Sequence, residues 1–190
     1  MNLNELLTTS RTCRRFQTGA SLSETTLARL VDLARISPSA RNAQVLRYAI
    51  VTDAAARRQM FGLITLGGAL KQRPTEEQAP GGYIVILAPE ELNAFGLMDV
   101  GIAAQSINLA ANDMDLACCM IGAFNNPGVR ALLAPPADLD PKLVLALGAP
   151  AEKRGLAPLN ADGSTTYFLD DEGVHRVPKR PLDEVLIIRR

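Results

Sequence analysis

Three arginines and a threonine crowd a short run near the start of the chain, Arg11-Thr12-Cys13-Arg14-Arg15-Phe16. Arg11 and Arg14 are three apart, so a helical turn or tight bend aims both the same way. Guanidinium groups offer fork-shaped donors to carboxylate or phosphate, and Thr12 adds a hydroxyl, so one reading is an anion or phosphate site. The plain alternative is a solvated, charged helix end. A second basic pair, Lys179 and Arg180, stands near the other end of the chain. A third stretch, Ser37-Pro-Ser-Ala-Arg-Asn-Ala-Gln44, is a turn-rich loop. Pro38 stops the preceding helix, while Ser37, Ser39 and Asn42 are small donors and acceptors. Its plain alternative is a bare connection between helix and strand.

Other chemistry is scarce. The single histidine, His175, sits in a late hairpin and reads as an exposed strand residue. One histidine with no Cys/His spacing supports neither a zinc site nor a Ser-His-Asp machine. Cys118 and Cys119 lie in an apolar run and read as buried and inert. Cys13 stands between basic residues, which could lower its pKa. There is no G-x-G-x-x-G after a strand and no Walker A sequence. An enzyme built from these residues borrows its chemistry from a cofactor.

The chain has 190 residues, 47% of them apolar, enough for one domain with a full core. A net charge of +0 and the absence of Trp argue against a broad nucleic-acid surface. The apolar runs fall well short of the ~20 residues needed to cross a bilayer. The N-terminus carries Asn2, Asn4 and Glu5 rather than an apolar signal core. Three cysteines without framework spacing suit a reducing compartment. A cytoplasmic protein without membrane or nucleic-acid partners is the expectation.

The elements that must position these residues centre on Asp99–Phe124. Val100, Ala103, Ala104, Ile107, Ala111 and Met114 recur at spacings of three and four and form a helical face. The many small residues would let another helix approach closely. Cys118–Ile121 reads as a strand ended by Gly122, where the backbone could face a ligand. Helices are also expected at Leu3–Leu7, from a Ser23 cap to about Ile36, over Ala54–Leu66 and at Pro127–Leu133. Strands are expected at Arg47–Thr52, Tyr83–Leu87 and Val144–Gly148. Thr165–Leu169 and Val174–Val177 flank a hairpin turn. Val185–Ile188 reads as a terminal strand with little of its own chain left to pair with, so it is expected to join a partner's sheet. Alternating strands and helices give an α/β or α+β class with one mixed sheet.

Several of these stretches together resemble the FMN-dependent nitroreductase family, specifically its short, single-domain bacterial members. Arg11–Phe16 is similar to the family's R-S-x-R-x-F motif, with Thr12 for Ser. Pro38–Gln44 is similar to its P-S-A-x-N-x-Q loop. Asp99–Gln105 resembles the start of the long central helix, and Met120–Phe124 the strand end beside the flavin. Leu145–Pro150 is similar to the A-L-G-x-P signature, and Val177–Arg180 resembles the family's tail. The match covers nearly the whole chain, and the order and spacing of the motifs are more specific than any one of them.

The resemblance implies an α+β fold, with a central, mostly antiparallel sheet flanked by helices. It implies an intertwined homodimer with exchange of the C-terminal strand, residues 1–190 forming one FMN-binding domain and 152–190 a hairpin and arm. Arg11 and Thr12 would lie at the FMN phosphate, with Lys179 and Arg180 approaching from the tail. Arg14 would sit at the pyrimidine edge. Pro38, Ser39 and Asn42 would come from the other subunit. Ile121, Gly122 and Ala123 would form the strand end at flavin N5, and Lys71 would reach the flavin from its loop. The phosphate carries about −1.5 to −2 charge near pH 7, which suits converging Arg and Lys. A fixed cation such as Arg14 would stabilise negative charge that builds on the pyrimidine side during reduction, so no protein acid or base is required. The chain departs from the family pattern where Val45-Leu46 replaces Pro-Trp, where Asp115, Ala117 and Cys118 replace glycines, and in a short loop at residues 71–82.

The expected activity is transfer of electrons from NAD(P)H to a nitroaromatic, quinone or similar acceptor by a ping-pong mechanism. The alternatives are a non-catalytic flavin-binding or delivery module, and a specialised family branch that dehydrogenates a product or consumes flavin.

Overall fold

A computed structural model of the chain describes residues 2–66, 68 and 73–190. The main sheet has four strands, β1 (Arg47–Val51), β2 (Gly82–Ala88), β3 (Ala117–Ile121) and β4 (Asp140–Gly148). Their order is β1-β2-β4-β3. Every neighbouring pair is antiparallel. Side chains alternate across the sheet with a period of two, and both faces are covered. On one face Ile84, Ile86, Leu145 and Leu147 meet Leu27, Leu30 and Ala34 together with Val100, Ala103, Ala104, Ile107 and Ala111. On the other, Tyr83, Val85, Val144 and Ala146 meet Phe16, Met60, Phe61, Ile64 and Val129. Burial on both faces explains why β2 is a continuous apolar run rather than an alternating one.

The first face is covered by α2 (Glu24–Arg35) and α4 (Ala94–Asp113), the second by α3 (Ala54–Leu63) and α5 (Asn126–Leu133). The Ser23 hydroxyl caps α2 by accepting from the Thr26 amide. Helix α4 begins earlier than the sequence pattern suggests, because Asn93 Oδ1 accepts from Gly96 N at 2.9 Å and caps it. By length and apolarity alone α4 could cross a membrane. It is a core helix instead, burying Asp99, Asn108 and Asn112 along with its apolar stripe. Asp115 then turns the chain into β3 with φ +57°, a left-handed conformation that Asp tolerates better than most residues.

The α+β class and the antiparallel central sheet agree with expectation, whereas a single mixed sheet does not. A second sheet of order β5-β7-β6 is built from β5 (Lys153–Ala157), β6 (Phe168–Leu169) and β7 (Val174–Pro178). The expected hairpin is β6–β7. The unforeseen strand is β5, parallel to β7. Its sequence, Lys-Arg-Gly-Leu-Ala, is half-exposed and polar and carries no strand signal. The tail differs as well. Leu182–Val185 forms a short helix, α6, and residues 186–190 enter no ladder among the described residues. A strand needs a neighbour to satisfy its backbone, and the described residues give this stretch none. Ile187 is left 81% exposed.

Candidate cofactor site

The basic segment leaves α1 (Leu3–Thr9) through Ser10, which is buried against α4. Its Oγ accepts from Asn108 Nδ2 at 2.7 Å and from Asn112 Nδ2 at 3.0 Å. These two asparagines, one turn apart on an apolar helix face, fix where the arginines begin. The segment then lies along the chain that follows β4. Gln17 N donates to Ala149 O at 2.9 Å, Ala151 N to Arg15 O at 2.9 Å, and Arg154 Nη1 to Arg11 O at 2.7 Å. Phe16 fills the core beside Pro150.

Within this frame Thr12 is exposed, and Arg11 and Arg14 are half-buried. Arg11 Nη2 donates to Leu7 O. Its Nε is buried with no hydrogen-bond partner among the described residues, and burial lowers its pKa. An unanswered guanidinium N–H beside further arginines fits an anionic group. Arg14 donates its amide to Glu152 Oε1 at 2.5 Å, and its guanidinium carbon lies over the Tyr167 ring. Glu152 Oε2 accepts from Arg15 Nη1 at 3.3 Å and lies 3.2 Å from His175 Nε2.

His175 is therefore not the exposed strand residue expected from sequence. It is buried because β7 is the middle strand of the second sheet and turns this side chain toward Glu152. Burial lowers its pKa from 6.5, and the nearby arginines add to that against the pull of Glu152. Cys13 is corrected too: burial outweighs the neighbouring Arg154 and raises its pKa to about 12. Cys118 and Cys119 are buried as expected, with the Cys119 thiol pushed up to about 11 by burial.

The strand end at β3 is open on one side. Ile121 is buried with its side chain in the core, whereas Gly122 and Ala123 are exposed. Among the described residues, a Cβ at Gly122 would meet nothing within 4 Å. The turn is held from behind by Thr65 N donating to Ala123 O at 2.9 Å and Asn125 N donating to Leu63 O at 2.8 Å. Space in front of an anchored backbone suits the edge of a flat ligand.

The Pro38–Gln44 loop lies elsewhere. It forms a short 3-10 turn at Ala40–Asn42, whose Ala40 amide donates to Asp99 Oδ1 at 2.9 Å near the start of α4. Arg41, Asn42 and Gln44 all have positive φ, and such non-glycine strain collects at functional sites. Pro38 and Asn42 are exposed, and Ser39 is half-buried with Oγ accepting from Gln44 N. A cavity of about 380 Å³ opens beside Pro38, Ser39, Tyr48 and Ile102. Because Asp99 and Asn108–Asn112 are nine to thirteen residues apart on one helix, loop and arginines attach about 14–20 Å apart along its axis. The single chain therefore does not bring the two groups of expected site residues together.

In the tail, Lys179 and Arg180 are exposed. The Lys179 amide is fixed to Ala157 O at 3.0 Å, and Arg180 pairs with Glu184. Lys71 lies outside the described residues. Sequence reasoning missed Glu152, Tyr167, Asp99 and the Ser10–Asn108–Asn112 knot. Only the asparagine pair left a signal, as polar residues four apart on an apolar helix.

Comparison with known proteins gives a consistent picture. The family model described as the Nitroreductase family matches residues 7–149. The chain is 27% identical over 165 residues, 84% of its length and 83% of the relative's, to a Methanothermobacter thermautotrophicus protein named for NADH dehydrogenase/NAD(P)H nitroreductase. It is 26% identical over 155 residues, 64% of its length and 74% of the relative's, to the oxygen-insensitive NADPH nitroreductase of Helicobacter pylori. Its fold is similar to the crystal structure of a nitroreductase family protein from Clostridium novyi NT, with TM-score 0.66, 21% identity and 94% of each chain covered. An FMN-dependent nitroreductase from Clostridium difficile R20291 shares the fold at TM-score 0.62 and 21% identity, with 80% of this chain and 89% of that one covered.

Proposed function

The chain belongs to the nitroreductase family, and on that footing we propose that it is an FMN-dependent oxidoreductase of NAD(P)H, working as a homodimer with two flavins at the subunit interface. FMN, when bound, supplies the two-electron chemistry between NAD(P)H and a nitroaromatic, quinone or similar acceptor, one following the other on the same face. The observation that carries this reading is the basic segment, where the buried Arg11 Nε has no acceptor among the described residues.

Arg11 and Thr12 take the phosphate, with Lys179 and Arg180 closing from the tail. Arg14 lies toward the pyrimidine edge, and Gly122 and Ala123 offer backbone N–H groups at N5. Ile121 contributes through its backbone, since its side chain is in the core. Pro38, Ser39 and Asn42 come from the second subunit, which accounts for their distance from Arg11 within one chain. The exposed Val185–Ile188 stretch adds to the partner's sheet. Lys71 is a further candidate contact from the loop.

The experiment is a titration of the apoprotein with FMN, riboflavin and FAD, followed by anaerobic addition of NADH or NADPH. A phosphate clamp built of charge-assisted hydrogen bonds makes FMN bind at least about tenfold more tightly than riboflavin. Either nucleotide bleaches the bound flavin within seconds, a quinone or nitroaromatic restores the colour, and double-reciprocal plots run parallel. Equal affinity for riboflavin and FMN would overturn the clamp. Bleaching over hours in fully loaded protein would favour a storage or delivery module.

A further inference from the structure

We propose that Glu152 is a positioning residue for Arg14: its carboxylate, held in turn by His175, ties down the Arg14 amide and the Arg15 guanidinium and so aims the Arg14 side chain at the flavin. This rests on the FMN reading above.

The segment from Arg11 to Gln17 is zipped along the chain from Ala149 to Arg154 by backbone and arginine hydrogen bonds. The Arg14 amide finds a side chain as its acceptor, Glu152 Oε1, across 138 residues of sequence. The Glu152 side chain is only 5% exposed, so an N–H left there without an acceptor would be costly. Three groups converge on this one carboxylate: the Arg14 amide and Arg15 Nη1 as donors, and the His175 ring, whose Nε2 donates when it carries the proton. An ionised carboxylate accepts from all three and presents no hydrogen of its own, whereas a glutamine amide places two donors among them. For Oε2 to accept from His175, the imidazole proton must be on Nε2.

Arg14 is then fixed at both ends. Glu152 holds its backbone, and the Tyr167 ring holds its guanidinium at 4.7 Å. Tyr167 reaches this position past Gly68, where φ is +54° and any Cβ would collide with the Tyr167 hydroxyl. Glu152 also stands among Arg14, Arg15 and Arg154, whose mutual repulsion its charge offsets. Losing that charge leaves the segment attached but lets the Arg14 side chain swing outward.

The test uses the full chain and six forms: wild type, E152Q, H175A, H175Q, R14A and the R14A/E152Q double variant. Each is measured for FMN affinity by fluorescence, for flavin midpoint potential by spectroelectrochemistry, and for thermal unfolding. E152Q is expected to shift the potential negative and to weaken FMN binding by no more than R14A does. Because Glu152 acts through Arg14, the double variant should have the potential of R14A alone. H175A moves both readings in the same direction, and H175Q, whose amide can donate to Glu152, restores them. If E152Q does not fold, the two His175 variants decide. An unchanged potential in folded E152Q, a further shift in the double variant, or failure of H175Q to restore what H175A loses overturns the proposal. Wild-type protein that takes up no FMN overturns the flavin reading instead, and the positioning role falls with it.

Discussion

The guanidinium carbon of Arg14 lies 4.7 Å from the centroid of the Tyr167 ring. A cation held over an aromatic face is oriented before any ligand arrives, so it adds little ordering cost when charge develops nearby.

That arrangement makes Arg14→Ala informative. Removing a charge-assisted hydrogen bond costs about 1.5–3 kcal/mol. The loss should fall more on flavin reduction than on flavin retention, and the midpoint potential should drop. An unchanged potential with weaker FMN binding would move Arg14 to the phosphate end.

Gly122→Pro tests the strand end. A Cβ at Gly122 meets nothing within 4 Å among the described residues, whereas proline there removes one backbone N–H and fixes φ. Bleaching by NADH or NADPH should slow in protein that still holds FMN. Wild-type bleaching rates in loaded G122P would remove this turn from the flavin's reactive edge.

A third outcome concerns assembly. Leu97, Met98 and Ile102 are 59%, 60% and 40% exposed along one stripe of α4, with Gly101 between them. In the proposed dimer this apolar stripe lies at the subunit interface, and an obligate interface should exceed ~2,000 Å². Ile102→Glu should give monomers by sedimentation that have lost FMN, because the second subunit's loop leaves with the partner. A folded wild-type monomer at nanomolar concentration would contradict this.

The pH dependence follows from His175. Its folded pKa lies below its ordinary 6.5, so the unfolded chain binds more protons over the interval between the two values. Stability therefore rises with pH through that interval, is fully present above about 6.5, and is lost as pH falls through it. Asp53, Asp162 and Asp170 have lowered pKa values, so their contributions disappear only below about 3.8. Thermal unfolding followed from pH 7 to pH 5 should decline in wild type and flatten in His175→Gln. An equally steep decline in H175Q would assign the acid sensitivity to other groups.

The fold was legible wherever apolar periodicity was strong. α2 and α4 show one apolar face at helical spacing, and the strands of the main sheet are short apolar runs, continuous in β2 because both of its faces are buried. β5 was not legible, because Lys153–Ala157 is fixed by its neighbours β7 and α1 rather than by its own pattern. In the tail, Leu182–Val185 is a short helix that the strand-like residues did not signal, and residues 186–190 have no ladder partner among the described residues. In the site, Arg11, Arg14 and the loop at Pro38–Asn42 were legible as residue types suited to an anion and a turn. Glu152 and His175 were not, because a buried carboxylate and imidazole owe their roles to partners more than a hundred residues away.

Helix α4 carries the loop holding Asn42 near its start and the arginine segment near its end. In the proposed dimer each site then draws one part from each polypeptide, and the two lesions R14A and N42A fall on complementary halves. Mixing chains that bear one lesion each produces a heterodimer in which one site collects both defects and the other collects none. Two impaired proteins, unfolded and refolded together, would recover part of the lost activity by intersubunit complementation.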